Sequence, residues 1–204
     1  MIKNIVFDNG GVIVKYSFET YLDWFGFDKC LQQQFNELFK SSQWVQLSKG
    51  EITSRQFEEY AKSIFPQHKK EVEAILDPEN LKYLIPPYKQ TLDYIDVLRE
   101  RGYKIYLLSD IIEDTIDYMN KTVEKWEEKF DGIVYSCRVG MVKKEGKVFE
   151  FLLNKFQLVA EETLFVDDSL RNLAEAEKYG IKVFRFLDPQ KDIKKIDEIL
   201  EVEN

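Results

Sequence analysis

The sequence has little of what several common chemistries require. It holds two cysteines, Cys30 and Cys137, and one histidine, His68, in 204 residues. Two cysteines make no disulfide framework, so both are read as reduced thiols, as in a cytosolic protein. The histidine lies in the polar run Pro66-Gln67-His68-Lys69-Lys70 and reads as solvated. Without a second histidine or a cysteine pair, zinc chemistry and Ser-His-Asp catalysis lack their residues. No apolar run approaches a membrane span, and the N-terminal one is interrupted by Asp8, which predicts no signal peptide. Basic residues are outnumbered, 29 Lys and Arg against 37 Asp and Glu, for a net charge of −8. That balance predicts neither a nucleic-acid nor a membrane partner.

What is present is a set of short apolar runs that end on acids. Residues 3–8 read as a buried strand, β-branched at Ile5 and Val6, closed by Asp8 and the turn Asn9-Gly10-Gly11. Ile105-Tyr106-Leu107-Leu108 ends in Ser109-Asp110, and Thr163-Leu164-Phe165-Val166 ends in Asp167-Asp168. Beyond the boundary Ile85-Pro86-Pro87-Tyr88, strand-like runs at 103–108, 132–136, 163–166 and 181–186 alternate with helical patterns. These fall at about 88–101, 111–120, 147–156, 170–179 and 192–202. Such alternation predicts a doubly wound, Rossmann-like α/β fold: a parallel sheet with helices on both faces.

Residues 18–83 differ in character, with apolar side chains at helical spacing, as in Phe57, Tyr60, Ala61, Ile64 and Phe65. About four helices are expected there, separated near Gly26, Gly50 and Pro66, with Thr53 as an N-cap and Gln56 completing a capping box. The chain therefore divides into an α/β core, 1–14 and 85–204, and an inserted helical cap, 15–84. Phe35, Leu38, Phe39, Trp24 and Trp44 read chiefly as cap packing, while Tyr16 and Trp24 are candidates to line the mouth of a site.

Ligands of open parallel sheets bind at the carboxyl ends of the strands. Asp8, Ser109-Asp110 and Asp167-Asp168 all fall there. Clustered carboxylates are costly unless paired or bound to a cation, and a few carboxylates with a backbone carbonyl suit Mg²⁺ shared with a phosphate. Gly10 lets backbone approach a ligand closely. Asp8 is the natural nucleophile for an acyl-phosphate intermediate. Ser109 and Lys143 are the candidates to steady the transferring phosphoryl oxygens.

The ordered set of segments resembles the haloacid dehalogenase-like hydrolase superfamily. Asp8-Asn9-Gly10-Gly11-Val12 resembles its nucleophile loop, and Ser109 its second motif. Gly140-Met141-Val142-Lys143 with Lys147-Val148-Phe149 resembles its lysine motif, and Phe165-Val166-Asp167-Asp168-Ser169 with Asn172 its acidic fourth motif. The cap between the first and second motifs matches one subfamily. The resemblance implies that Asp8 attacks phosphorus and ligates Mg²⁺, together with the Gly10 carbonyl and Asp168. Asp167 is implied to act through water or by orienting Lys143. Phosphate is implied to lie on Ser109, Lys143 and backbone amides near Asn9, Gly10 and Asp110.

Two positions depart from the family pattern. Most of its phosphatases carry a second Asp, a general acid, where this chain has Gly10; some small-sugar-phosphate phosphatases resemble this glycine variant. Asp110 stands where Asn is usual; beside a phosphate it is expected to be either protonated or paired with Lys144 or Lys143, and to act mainly through its backbone. The activity implied is Mg²⁺-dependent hydrolysis of a small phosphorylated metabolite, a phosphomonoester with sugar phosphates among the candidates, through an aspartyl-phosphate intermediate. The alternatives are a 2-haloacid dehalogenase, which also lacks the second Asp but needs no metal, and a non-catalytic phospholigand-binding protein.

Overall fold

The computed structural model describes residues 1–202; the last two positions of the expected core, Glu203 and Asn204, lie outside the described residues. Five parallel strands form one sheet: β1 (Asn4–Phe7), β2 (Lys104–Ser109), β3 (Gly132–Tyr135), β4 (Thr163–Asp167) and β5 (Lys182–Arg185). Their order is β3-β2-β1-β4-β5, so the winding reverses direction beside β1. This is the doubly wound fold that the alternation predicts, and the reversal leaves a crevice at the strands' carboxyl ends.

Successive strand residues face opposite sides of the sheet, and each side has its own core. Ile5 and Phe7 of β1 join a cluster with α7 (Lys89–Glu100), α8 (Glu113–Thr122) and α12 (Pro189–Val202). Val6 joins the opposite cluster, with α10 (Lys147–Phe156) and α11 (Leu170–Glu177). Register fixes which ends meet. Phe7 pairs with Leu107 on one side and Val166 on the other, so the next residues, Asp8 and Asp167, fall side by side.

Between β1 and β2 the chain is helical: α1 (Phe18–Trp24), α2 (Lys29–Leu38), α3 (Ser42–Ser48), α4 (Ser54–Ile64), α5 (Lys69–Leu76), a 3₁₀ turn (Pro78–Asn80) and α6 (Leu81–Leu84). The expected count of about four is corrected to six by two further breaks. One follows Leu38, where the Ser41 hydroxyl accepts the Trp44 N–H at 3.2 Å and starts α3. The other is at Asp77, whose side chain accepts the Glu79 N–H at 3.0 Å ahead of Pro78 and parts α5 from α6. The expected capping box is present. The Gln56 N–H donates to Thr53 Oγ1 at 3.2 Å, and the Thr53 N–H to Gln56 Oε1 at 2.8 Å. α8 starts at Glu113, two residues later than expected, because Ser136 Oγ takes the Ile111 N–H at 2.8 Å and holds it outside the helix.

The insertion leaves and re-enters the sheet domain at one point. The Lys15 N–H donates to Pro86 O at 3.0 Å, and the Tyr88 N–H to Ile13 O at 2.8 Å. The helices then fold back over the strand ends, and Phe35, Leu47 and Phe57 share the same apolar cluster as Phe7 and Ile105. Two polar contacts dock them. Ser136 Oγ, on the single turn α9 (Ser136–Val139), donates to Ser48 O at 2.6 Å, and Lys49 Nζ pairs with Glu145 at 2.7 Å.

Candidate active site

Asp8, Ser109 and Asp167 close three adjacent strands, and Lys143 reaches them from a 3₁₀ turn before α10. The Lys143 side chain is 2% exposed; its Nζ lies 2.6 Å from Asp8 Oδ1 and 2.7 Å from Asp167 Oδ2. One ammonium thus bridges two carboxylates that would otherwise repel across neighbouring strands. Burial opposes the lysine's charge, but Asp8, Asp167 and Asp110 together outweigh it and hold the ammonium above its ordinary range. Burial also pushes the Asp8 carboxyl well above the usual carboxylate range, more than Lys143 draws it down.

The two acids of the fourth motif have different surroundings. Both oxygens of Asp167 are engaged: Oδ1 accepts the Ser169 N–H at 2.8 Å, and the Asn172 amide reaches Oδ1 at 3.2 Å and Oδ2 at 3.1 Å. Asp168 instead turns toward the loop that follows Asp8. A β-carbon on Gly11 would meet Asp168 Oδ2 at 2.6 Å, and Gly11 has φ +75°, so this glycine supplies both the backbone turn and the room for Asp168. Burial and the Asp167 charge raise the Asp168 carboxyl. One oxygen from each of Asp8, Asp167 and Asp168 lies within 4.8 Å of the others. Hard oxygen donors this close, two of them held with elevated proton affinity, are what a divalent cation of the Mg²⁺ type replaces protons on.

Ser109 is buried and lines the cavity above Asp8. Asn9 is buried, its N–H donates to Asp8 Oδ1 at 2.7 Å, and its Oδ1 has no partner. A phosphate using the Asn9 amide would take it over from the Asp8 carboxylate. Gly10 lines the cavity beside them. Asp110 corrects one expectation. Its carboxylate pairs with neither ammonium but accepts the backbone N–H of Lys143 at 3.0 and 3.2 Å, and so fixes the loop that carries the lysine. Burial raises the Asp110 carboxyl.

The cavity encloses about 550 Å³ and runs from this floor up between the cap helices. Tyr16 lines it, as the sequence suggested; Trp24 does not, being 61% exposed and stacked on Tyr83 at 3.9 Å between centroids. Phe39 and Trp44 pack in the apolar cluster, as read, and also form part of the cavity wall. Sequence reasoning placed Asn172 in the fourth motif but missed its grip on Asp167, for which its place in the first turn of α11, directly after β4, was the available signal. It also missed Ser136, which no sequence signal marks.

A family model described as haloacid dehalogenase-like hydrolase matches residues 7–186. The chain is 24% identical to mouse acyl-CoA dehydrogenase family member 10, over 97% of this chain and 19% of that one; it spans about a fifth of that protein. It is 25% identical to a sesquiterpene phosphatase of Aspergillus oryzae, over 88% of this chain and 87% of that protein. It is also 25% identical to a D-ribitol-5-phosphate phosphatase of Bacteroides thetaiotaomicron, over 91% and 92%. Among solved structures, an enzyme of Bacteroides thetaiotaomicron in complex with magnesium and inorganic phosphate superposes with a TM-score of 0.75 at 25% identity, over 91% of this chain and 94% of that one.

Proposed function

Because the chain belongs to the haloacid dehalogenase-like hydrolase family, we propose that it is a Mg²⁺-dependent phosphatase that cleaves a small phosphomonoester through an aspartyl-phosphate on Asp8. The observation that carries this reading is the convergence of Asp8, Asp167 and Asp168 on one point, with the Lys143 ammonium bridging the first two. The two full-length relatives named as phosphatases support it. The division into a core, 1–14 and 85–204, and a cap, 15–84, belongs to the same proposal, supported by the pairing of Ile13-Val14-Lys15 with Pro86-Pro87-Tyr88.

Asp8, Asp168 and the Gly10 carbonyl would hold the ion, with Asp167 acting through water or through Lys143. When bound, Mg²⁺ offsets the charge of the carboxylates and of the phosphoryl oxygens. An Asp8 oxygen attacks phosphorus as the bond to the leaving alcohol breaks; water then attacks the same phosphorus, returns a proton to the group that protonated the alcohol, and releases Asp8 and phosphate. Ser109, Lys143 and the amides at Asn9, Gly10 and Asp110 hold the equatorial oxygens throughout. The leaving oxygen needs a proton, and Gly10 has none to give. Tyr16 is the donor on that side. Its ring packs beside Gly10 and lines the cavity with Asp8. Its hydroxyl carries a proton to give, although desolvation of the hydroxyl, then the charges of Asp8, Asp168 and Asp110, hold that proton more tightly than in a free tyrosine. This makes the chain a glycine-variant phosphatase in which a tyrosine stands in for the second Asp.

The test is turnover of p-nitrophenyl phosphate with and without Mg²⁺, with Asp8→Asn as control, and trapping of Asp8 with BeF₃⁻. Mg²⁺-dependent turnover lost in Asp8→Asn is expected. A protein that binds phosphate but neither turns over nor forms the Asp8 adduct is the non-catalytic alternative. The apolar cavity favours a second reading, a 2-haloacid dehalogenase, which would release halide from 2-haloacids without Mg²⁺.

A further inference from the structure

The cavity above the phosphate floor is walled by hydrocarbon. Phe18, Phe39, Trp44, Leu47, Phe57 and Ile75 line it. The aromatic wall is locked by its own packing: Phe18 stacks on Phe39 at 4.0 Å, and Trp44 meets Phe39 at 5.0 Å and Phe57 at 5.3 Å, both edge-on. Rings held this way are a preformed surface rather than a collapsed core.

Several polar side chains of the upper wall already have protein partners. Ser54 donates to Asp114. Arg55 pairs with Glu59 at 3.1 Å and Glu58 with Lys62 at 2.7 Å, while Ser48 Oγ donates to Trp44 O at 2.9 Å. Asp77, Thr115 and Lys144 also line the cavity, but along the aromatic wall a polyol would leave water without recovering its hydrogen bonds, and each hydroxyl left unpaired there lowers affinity by about tenfold or more. A hydrocarbon chain loses nothing of the kind. Each methylene buried improves binding by about fourfold.

We propose that the alcohol released at this site is a hydrocarbon one, so that the substrate is the phosphomonoester of an alkyl or terpenoid-type chain and not a sugar phosphate. The inference rests on the phosphatase reading but is carried by a different part of the molecule: the wall, not the floor. A volume of about 550 Å³ lies in the range that encloses a medium-sized organic molecule. The phosphate end is fixed by Lys143 and Ser109, and the chain then points away from the strands, between α3 and α4 on one side and α5 and α6 on the other.

Two measurements on the full chain test it. The first is kcat/KM, with Mg²⁺, for n-alkyl phosphates of two to twelve carbons, for sugar phosphates and for p-nitrophenyl phosphate. The second is calorimetric binding of the corresponding n-alkylphosphonates, which cannot be hydrolysed. Both kcat/KM and affinity should rise by about fourfold per methylene over the first members, with sugar phosphates at least 100-fold below the best alkyl phosphate. Val45→Gln and Leu81→Gln, at half-buried wall positions on different helices, should each reduce the gain per methylene. p-Nitrophenyl phosphate turnover with a flat chain series, or with sugar phosphates preferred, overturns this inference and leaves the phosphatase standing. Phosphonate binding that strengthens with chain length, without turnover of any ester, supports the apolar ligand and removes the phosphatase. Absence of both turnover and binding removes both.

Discussion

A β-carbon on Gly10 would stand 3.3 Å from the Tyr16 ring, closer than the two groups can sit without yielding. The aromatic side chain therefore occupies the place toward which a residue-10 side chain would project. The turn explains how. Asn9 O accepts the N–H groups of Val12, Ile13 and Val14, and Gly11 N–H donates to Val14 O at 2.8 Å, which folds the chain back so that Tyr16 returns to the mouth.

If Tyr16 serves the leaving oxygen, its value depends on how badly that oxygen needs a proton. Tyr16→Phe keeps the ring and removes the hydroxyl. It should slow alkyl phosphates by about 10²-fold, at the lower end of what a general acid supplies, and p-nitrophenyl phosphate by no more than a few-fold. Steady-state kcat for the two substrates checks this; equal slowing of both would show that the hydroxyl only shapes the pocket.

The Lys143 bridge makes a second prediction, on stability. Lys143→Met leaves Asp8 and Asp167 side by side without their shared cation, and truncating one partner of a buried ion pair costs about 3–5 kcal/mol. Denaturant unfolding without metal should show a loss of that size, and Mg²⁺ should recover part of it, because the ion replaces the missing positive charge. Turnover should fall by at least about 10²-fold. A variant as stable as the parent without metal would mean that the acids are held apart by something other than this lysine.

Much of this site could be read along the chain because its determinants are local. Asp8, Ser109 and Asp167 sit where an apolar run stops, and a strand's end is set by the residues within it. The Thr53–Gln56 capping box spans four residues and is equally visible. What was hidden joins distant segments. Asp110 and Lys143 are 33 positions apart, and nothing local tells a carboxylate whether an ammonium or a backbone N–H will reach it. Phe39 and Trp44 have the spacing of core residues. Whether such a ring meets other rings or an open cavity is decided by the packing of α2 to α6, which periodicity does not encode.

Asp110 now permits a sharper test than its charge alone. An asparagine keeps an oxygen acceptor for the Lys143 N–H and removes a negative charge from the phosphate's surroundings. Asp110→Asn should leave kcat/KM unchanged or raise it, whereas Asp110→Ala, with no acceptor, should lower it by about 10-fold through a displaced Lys143 loop. A collapse of turnover in the asparagine variant would give the carboxylate itself a role in the chemistry.

The buried acids also set how stability varies with pH. Burial raises the carboxyls of Asp8, Asp110 and Asp168 above their unfolded values. In the folded state these groups hold protons to higher pH than in the unfolded chain. Their contribution is therefore complete below the ordinary carboxylate range and is lost as pH rises through the elevated folded values. Acids that folding lowers, such as Asp131 and Asp192, act in the opposite sense, so a single melting curve mixes the two. The difference made by Mg²⁺ separates them, since the ion binds the ionised cluster. The gain in Tm on adding Mg²⁺ should grow steadily from pH 4.5 to pH 8 as the ion takes over where protons leave. A gain independent of pH would place the ion away from Asp8 and Asp168.

The last prediction concerns the seam that holds the helices over the sheet. Gly50 has φ +71°, and a β-carbon on it would fall 2.1 Å from Cys137 O, a backbone atom of α9 that cannot rotate away. Gly26, in the same helical segment, has φ +68° but nothing within 4 Å. The two glycines share backbone strain and differ in contact, so comparing them isolates the seam. Gly26→Ala should cost about 1 kcal/mol, the strain of a left-handed alanine. Gly50→Ala should cost that and a further 1–3 kcal/mol for the collision, measured by denaturant unfolding. Because the collision also pushes α3 off the turn where Ser136 holds Ser48, Gly50→Ala should raise KM while Gly26→Ala leaves it alone. Equal costs for the two variants would mean that the helices rest on the sheet loosely enough for this contact to open freely.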